Sequence, residues 1–220
     1  MAAITVAVVL TSLVALCACE KNFTVTFEVT LEVEVKNYNG QGDDINGKIV
    51  IGMFGDTAPI TALNFKNLCN GWTRDDVKLS YKNSFCHRLV KDMLIQCGDI
   101  TTGDGTGTIS IYGPRFNDEN FTIKHRSGGI VSMANHGRDT NGSQFFITFG
   151  PSRFLDQKHV AFGKVIKGYN ILRALNRMGS QPDFSTPKRP IRITECSTAE
   201  VKKYELSQKD MEKDDLEETK

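Results

Sequence analysis

From Phe23 to Val35 the chain alternates without a break, with Phe, Val, Phe, Val, Leu, Val and Val at the odd positions and Thr or Glu at the even ones. Successive side chains of a strand point to opposite faces, so a period of two predicts a long strand with one buried face and one solvated face. The polar run from Asn37 to Gly47, with Gly40, Gly42 and the pair Asn46-Gly47, then turns the chain. A second strand is expected from Lys48 to Phe54, and the two should form a hairpin.

Helical spacing follows. Thr57-Ala58-Pro59 puts proline where a first helical turn tolerates it, Ala62, Phe65, Leu68 and Cys69 share one face, and Gly71 suits the stop. A second helix is expected where Ile171, Leu172, Leu175 and Met178 repeat before Gly179. Between them, Tyr81 to Gly150 is crowded with glycine and short β-prone runs such as Met93 to Gln96 and Phe145 to Phe149. His159 to Val165 and Ile191 to Glu195 read as further strands. Many strands with two separated helices point to a capped β-barrel, with an α+β sandwich as the alternative. Ser197 to Lys220 is charge-rich, with Val201, Leu206, Met211 and Leu216 scattered through it, and reads as a flexible or partly helical tail.

A chain of 220 residues, 40% hydrophobic and 24% charged, is long enough to bury one large core. Its formal net charge of +1 gives no long-range attraction to nucleic acid or to an anionic membrane, so neither is expected as a partner.

Met1 to Ala18 carries no charged side chain, and its apolar stretch from Ile4 to Ala18 is shorter than the ~20 residues that cross a bilayer. Small residues at Ala15, Cys17, Ala18 and Cys19 offer cleavage positions, so residues 1–19 read as a secretory signal, with an uncleaved anchor as the alternative. After cleavage no stable membrane insertion is expected. The mature chain would keep Cys69, Cys86, Cys97 and Cys196 in an oxidising compartment, where disulfides are allowed but not required, and four cysteines can pair in three ways. Asn22-Phe23-Thr24, Asn120-Phe121-Thr122 and Asn141-Gly142-Ser143 are glycan-acceptor sequences, the last expected to be occluded. No CxxC or HExxH spacing occurs, and no metal or cofactor is expected.

Gly103-Asp104-Gly105-Thr106-Gly107 has the look of a phosphate cradle but lacks the following Gly-Lys-Ser/Thr, so a tight loop needing positive φ is the better reading. His87, His125, His136 and His159 stand alone, with no GxSxG elbow to make a hydrolase. What stands out is a set in order: Cys86-His87-Arg88, Gln96-Cys97-Gly98-Asp99, Ser132-Met133-Ala134-Asn135, Asn141-Gly142-Ser143-Gln144-Phe145-Phe146, and Phe154-Leu155-Asp156-Gln157-Lys158-His159-Val160-Ala161-Phe162-Gly163-Lys164. With Asn64-Phe65 and Cys196, this set resembles the cyclophilins from about Phe23 to Cys196.

The resemblance implies an eight-stranded antiparallel closed β-barrel capped by two α-helices, spanning 20–197 and followed by a tail at 198–220. It implies a monomeric peptidyl-prolyl cis-trans isomerase, and with the leader a secretory, cyclophilin B-like member resident in the endoplasmic reticulum lumen or secreted. Proline-containing polypeptides would be its clients. Carried across by position, it makes Arg88 the catalytic arginine with His87 beside it, Gln96 and Gln144 the groove glutamines, and Gly105 the glycine of the rim loop. Ala134 and Asn135 would offer backbone contacts. Met93, Leu94, Phe146, Leu155 and His159 would wall a proline pocket, with Phe154 at its edge, and Gln96 would hold Arg88 in place.

Those residue types suit the reaction. Rotation about X-Pro faces a barrier of ~18–20 kcal/mol from amide resonance, and no covalent bond breaks. A pocket for the proline ring and a donor that favours the twisted amide are enough, and a guanidinium stays charged at any relevant pH.

The sequence also departs from the family pattern. Met93 stands where an aromatic wall is usual, Lys91-Asp92 replaces Pro-Gly, Phe154 replaces the rim tryptophan, and Gly-Gly-Asp has become Cys97-Gly98-Asp99. A flexible methionine lacks the flat face of phenylalanine, which leaves a second reading: a weakly active scaffold that binds proline segments. Cyclosporin-type inhibitors are expected to bind with weakened affinity. The stretch from Asn70 to Lys78, with the only tryptophan, Trp72, reads as surface decoration.

Overall fold

In the computed structural model, which describes residues 22–180 and 185–216, burial along β1 (Phe23–Val35) alternates at every position as its sequence does. The expected signal at 1–19 lies outside the described residues. β1 pairs on one side with β2 (Ile45–Met53), Glu28 opposite Gly52 and Leu31 opposite Ile49. The connecting loop is tied by Asp44, which accepts from Asn37 N–H and Lys36 Nζ, both at 2.9 Å. Asn46 and Gly47, expected in the turn, lie inside β2. Gly47 is needed there for another reason: a Cβ would sit 2.3 Å from Ile171 Cδ1, so its absence lets the second helix approach the sheet.

The remaining elements are α1 (Pro59–Asn70), β3 (Trp72–Arg74), β4 (Val77–Leu79), β5 (Phe85–Val90), β6 (Leu94–Cys97), β7 (Ile130–Met133), β8 (Phe145–Thr148), β9 (Ala161–Lys167), α2 (Tyr169–Met178), β10 (Ile191–Leu206) and α3 (Gln208–Glu212). Eight strands close an antiparallel barrel in the order β1-β10-β5-β6-β8-β7-β9-β2. The expected barrel with two capping helices is therefore observed, with the short α3 in addition.

α1 buries the face read from its sequence, Ala62, Phe65, Leu68 and Cys69. Its N-cap residue, Ala58, has no side chain to satisfy the first N–H groups. The Glu119 carboxylate does so from a distant loop, accepting from Ile60 N–H, Thr61 N–H and Thr61 Oγ1 at 2.8–2.9 Å. Beneath α1, the Phe65 ring meets Tyr81, Phe145 and Phe162 at centroid distances of 4.8, 4.9 and 5.2 Å. Each buried ring is worth about 1.5–3 kcal/mol in transfer free energy, and Phe65→Ala would cost about 3–5 kcal/mol once its cavity is included.

Two segments differ from expectation, and the cysteine pairing that the sequence left open takes one of its three allowed forms. The stretch read as surface decoration is a hairpin: β3 and β4 pair around Asp75 and Asp76, both at positive φ as a two-residue turn of this hand requires, and Trp72 packs against the core. Cys69, Cys86, Cys97 and Cys196 form two disulfides, Cys69–Cys196 between α1 and β10 and Cys86–Cys97 between β5 and β6. The strand expected over Ile191 to Glu195 runs on to Leu206, so residues read as a tail pair with β1 from Phe23↔Leu206 onward. Beyond it, Ser207 caps α3 with a capping box to Asp210, and Met211 is buried with Phe23, Val25, Phe54 and Ile123.

Candidate active site

β5 and β6 carry the polar residues expected in the groove. Cys86 pairs with Cys97 and Arg88 with Gln96, which leaves His87 as the extra residue of a β-bulge. A bulge bends its strand and re-aims side chains, and here it leaves His87 and Arg88 both half-buried. His87 packs under the rim loop: a Cβ on Gly105, whose φ is 96°, would lie 2.7 Å from His87 Cδ2.

That rim loop, 101–107, is the glycine-rich segment of the sequence, and it wraps a carboxylate of its own chain. Asp99, almost fully buried, accepts from the backbone N–H groups of Thr101, Thr102, Gly105 and Gly107 at 2.8–3.1 Å, and from Thr101 Oγ1 and Thr102 Oγ1. Burial alone would raise this carboxyl, but the donors from Thr102, Gly107 and Gly105 outweigh it and hold it far below the usual carboxylate range.

Gln144 ties the loop to the sheet, its Nε2 donating to the Gly105 and Gly107 carbonyls at 2.9 and 2.7 Å. Its Oε1 accepts from Gln96 Nε2 at 2.8 Å. Gln96 was expected to hold Arg88, which lies directly across the ladder. Its amide instead engages Gln144, so the two glutamines and the rim loop form one hydrogen-bonded unit on the strand that pairs with Arg88.

The apolar half is a separate cluster. Leu94, Ala134, Phe146 and Leu155 are buried together, with Met93 partly buried against them. His159 meets the Phe146 ring edge-on at 5.2 Å, and its Nδ1–H donates to the Met133 carbonyl at 2.9 Å, which fixes the tautomer because that partner only accepts. Burial pushes the His159 pKa below its ordinary value, so the imidazole is neutral near pH 7. All the residues proposed for the pocket wall are thus brought together. Phe154, expected at the pocket edge, is 56% exposed on a 3-10 turn (Arg153–Leu155) directly before the buried Leu155. Ala134 N–H donates to the Gln144 carbonyl at 3.0 Å, and Asn135 Nδ2 donates to the Lys158 carbonyl at 2.8 Å, which holds that wall of the groove in place.

The unusual Lys91-Asp92-Met93 segment is well fixed. Asp92 takes a positive φ, its N–H donates to Asn176 Oδ1 at 2.7 Å, and Asn176 Nδ2 donates back to Asp92 Oδ1 at 2.8 Å. α2 therefore holds the turn that presents Met93.

Sequence reasoning missed His125, which is fully buried and stacks on Phe146 at 5.8 Å while its Nδ1–H donates to Asp156. It also missed a cleft of about 490 Å³ beside Asn135 and His159, lined further by Asp118, Phe121, Arg138 and Lys158. A lone histidine and scattered loop residues carry no spacing that would have marked them. Among the described residues, no cluster of three or more His, Cys, Asp or Glu could hold a metal ion.

Residues 34–198 match the family model described as cyclophilin type peptidyl-prolyl cis-trans isomerase/CLD. The chain belongs to the cyclophilin family. Similar proteins include peptidyl-prolyl cis-trans isomerase 11 of Caenorhabditis elegans, 48% identical over 151 residues that cover 68% of this chain and 82% of that protein. Peptidyl-prolyl cis-trans isomerase H of Mycosarcoma maydis is 48% identical over 151 residues, covering 68% of this chain and 96% of the relative. The protein of the same name from Rhizopus delemar is 46% identical over 157 residues, covering 70% and 88%. This cyclophilin is accordingly a peptidyl-prolyl cis-trans isomerase by enzyme class. The family match ends at residue 198, short of the second half of β10 and α3.

Proposed function

We propose that this cyclophilin accelerates X-Pro rotation in polypeptides folding in the secretory pathway, as a cyclophilin B-like member of the family. The observation that carries the compartment is the cysteine pairing. Cys69, Cys86, Cys97 and Cys196 are all in disulfides, and stable disulfides belong to oxidising compartments. The uncharged leader supports the same reading.

In the proposed mechanism the client's proline ring enters between Met93, Phe146, Leu155 and His159. Burial against those walls holds one side of the amide bond while the other rotates. As the amide twists, resonance is lost and the proline nitrogen gains a lone pair, which the Arg88 guanidinium stabilises as a hydrogen-bond donor. The planar ground state offers no such acceptor, so the interaction favours the transition state selectively. Gln96 and Gln144 fix the rim loop, and no proton is transferred.

The turnover test is a timed cis-to-trans assay on an X-Pro peptide. Arg88→Ala should lower kcat/KM by about a hundredfold, near 3 kcal/mol, with an unchanged thermal transition. A folded wild type no faster than Arg88→Ala would replace the enzyme with a proline-binding scaffold. The compartment is tested by expressing the full chain in eukaryotic cells. Entry into the secretory route with a mature N-terminus near Glu20 and no free thiol is expected; a cytosolic, fully reduced product would overturn the assignment.

A further inference from the structure

Lys164, in β9, is 2% exposed, and its ammonium lies within hydrogen-bonding distance of four oxygens. Two belong to the segment leading into β7: Ser127 Oγ at 2.7 Å and the Gly128 carbonyl at 2.8 Å. The other two belong to the C-terminal extension: the carbonyls of Met211 at 3.3 Å and Lys213 at 3.2 Å. Ser127 Oγ also donates to the Met211 carbonyl at 2.6 Å. Burial lowers the Lys164 pKa to about 8, with Asp214 and Asp215 favouring the charge and Lys213 opposing it. A buried ammonium is tolerated when acceptors surround it, and here half of them come from outside the family-matched region.

The extension has further anchors. Arg126 pairs with Glu212 at 2.8 Å, and Arg173 donates to the Asp215 carbonyl at 2.7 Å. Leu216 lies so close to Gly128 that a Cβ there would be 2.6 Å from its Cδ1.

The same short segment faces the proline pocket from its other end. The His125 N–H and Nδ1–H both donate to Asp156 at 2.9 Å, and the His125 carbonyl accepts from Ser152 N–H at 2.8 Å. Its ring backs Phe146. Residues 125–128 therefore connect the docked extension to a pocket wall and to the turn that carries Phe154 and Leu155.

We propose that Lys164 is a positioning residue of the isomerase site, clamping residues 211–213 onto 127–128 so that His125 holds Phe146 and the 152–156 turn in place. This rests on the reading of Phe146 and Leu155 as pocket walls. The test uses the full mature chain as wild type, Lys164→Met, Lys164→Arg and Met211→Asp, the last undocking α3 without touching the clamp side chain. Turnover, calorimetric binding of a proline peptide and amide hydrogen exchange are read together.

In Lys164→Met, KM and the peptide Kd should rise about three- to tenfold with kcat nearly kept, and amides 125–128 should exchange faster. Met211→Asp should move in the same direction, and Lys164→Arg should recover part of the binding. Peptide binding separates this from the isomerase reading, because a looser Kd in Lys164→Met supports the clamp whatever the turnover. If amides 211–216 lose protection in either variant while peptide Kd stays within about twofold of wild type, the extension does not position the pocket and the proposal falls. Met211→Asp keeps the test decisive if Lys164→Met fails to fold.

Discussion

Arg88 and Gln96 face each other across the β5–β6 ladder immediately beyond the Cys86–Cys97 disulfide, with His87 bulged out between the two pairs. The covalent bridge pins one side of the bulge that aims the guanidinium. Replacing both cysteines by alanine should cost about 2–3 kcal/mol of stability, the usual worth of a short-loop disulfide. It should also lower kcat/KM several-fold below the thermal transition, because the bulge is then free to shift register. Melting curves and the isomerisation assay on the same sample check both. A destabilised variant with full activity at low temperature would mean that the ladder alone sets Arg88.

The buried Asp99 should govern the rim loop. Asp99→Asn keeps the shape but exchanges one acceptor oxygen for a donor facing N–H groups, which should cost about 2–3 kcal/mol. Because the folded carboxyl titrates far below its unfolded value, its stabilisation is fully present above about pH 4 and is lost as pH falls toward the folded value. Wild type and variant should therefore converge in stability on acidification. Denaturant melts at pH 7 and pH 3 would show it, and a constant gap would refute the assignment.

At saturating peptide, kcat should be nearly independent of pH from about 6.5 to 7.5, below the range near pH 8 in which Lys164 loses its charge. No proton moves in the reaction, Arg88 stays charged, and burial lowers the pKa of both His87 and His159 below the ordinary value of about 6.5. A lowered histidine pKa means that the unfolded state binds more protons on acidification, so stability should decline below about pH 6.5. A pH–rate profile bell-shaped around neutrality would show that a titrating group takes part.

Phe154, the residue expected at the pocket edge, has an exposed ring but no side-chain N–H donor. If cyclosporin occupies this groove as the family resemblance implies, Phe154→Trp should tighten inhibition by about 1 kcal/mol, the net worth of one hydrogen bond. Inhibition curves of the two proteins decide it, and identical curves would remove Phe154 from the binding rim.

Much of this was legible in the sequence, for identifiable reasons. The alternation of Phe23 to Val35 and the helical face Ala62, Phe65, Leu68 and Cys69 are local patterns that set burial directly. The pocket walls Leu94, Phe146 and Leu155 could be placed only through the family motif, since apolar residues in short strands carry no mark that separates a groove from a core. The far half of β10 was hidden because several of its residues face solvent and its partner lies over 170 residues away, as in Phe27↔Glu200. The disulfide pairing depends on which strands meet, which spacing does not encode. Lys164 was visible only as the last residue of the family motif, and its burial depends on the extension whose Met211 and Lys213 carbonyls accept from it.

The pairing of the first strand with the last sets an order on how the molecule can be made. Every hydrogen bond between β1 and β10 joins residues 23–34 to residues 192–206, and Cys69 can meet Cys196 only after the same stretch has emerged. A chain leaving a ribosome or a translocation pore therefore carries the β1–β2 hairpin with one edge open until nearly all of it has been synthesised. At ordinary elongation rates of about 5–20 residues per second, that exposure lasts roughly ten seconds or more. An open strand edge invites pairing with other chains, so during its own synthesis this folding catalyst resembles the clients it is proposed to serve.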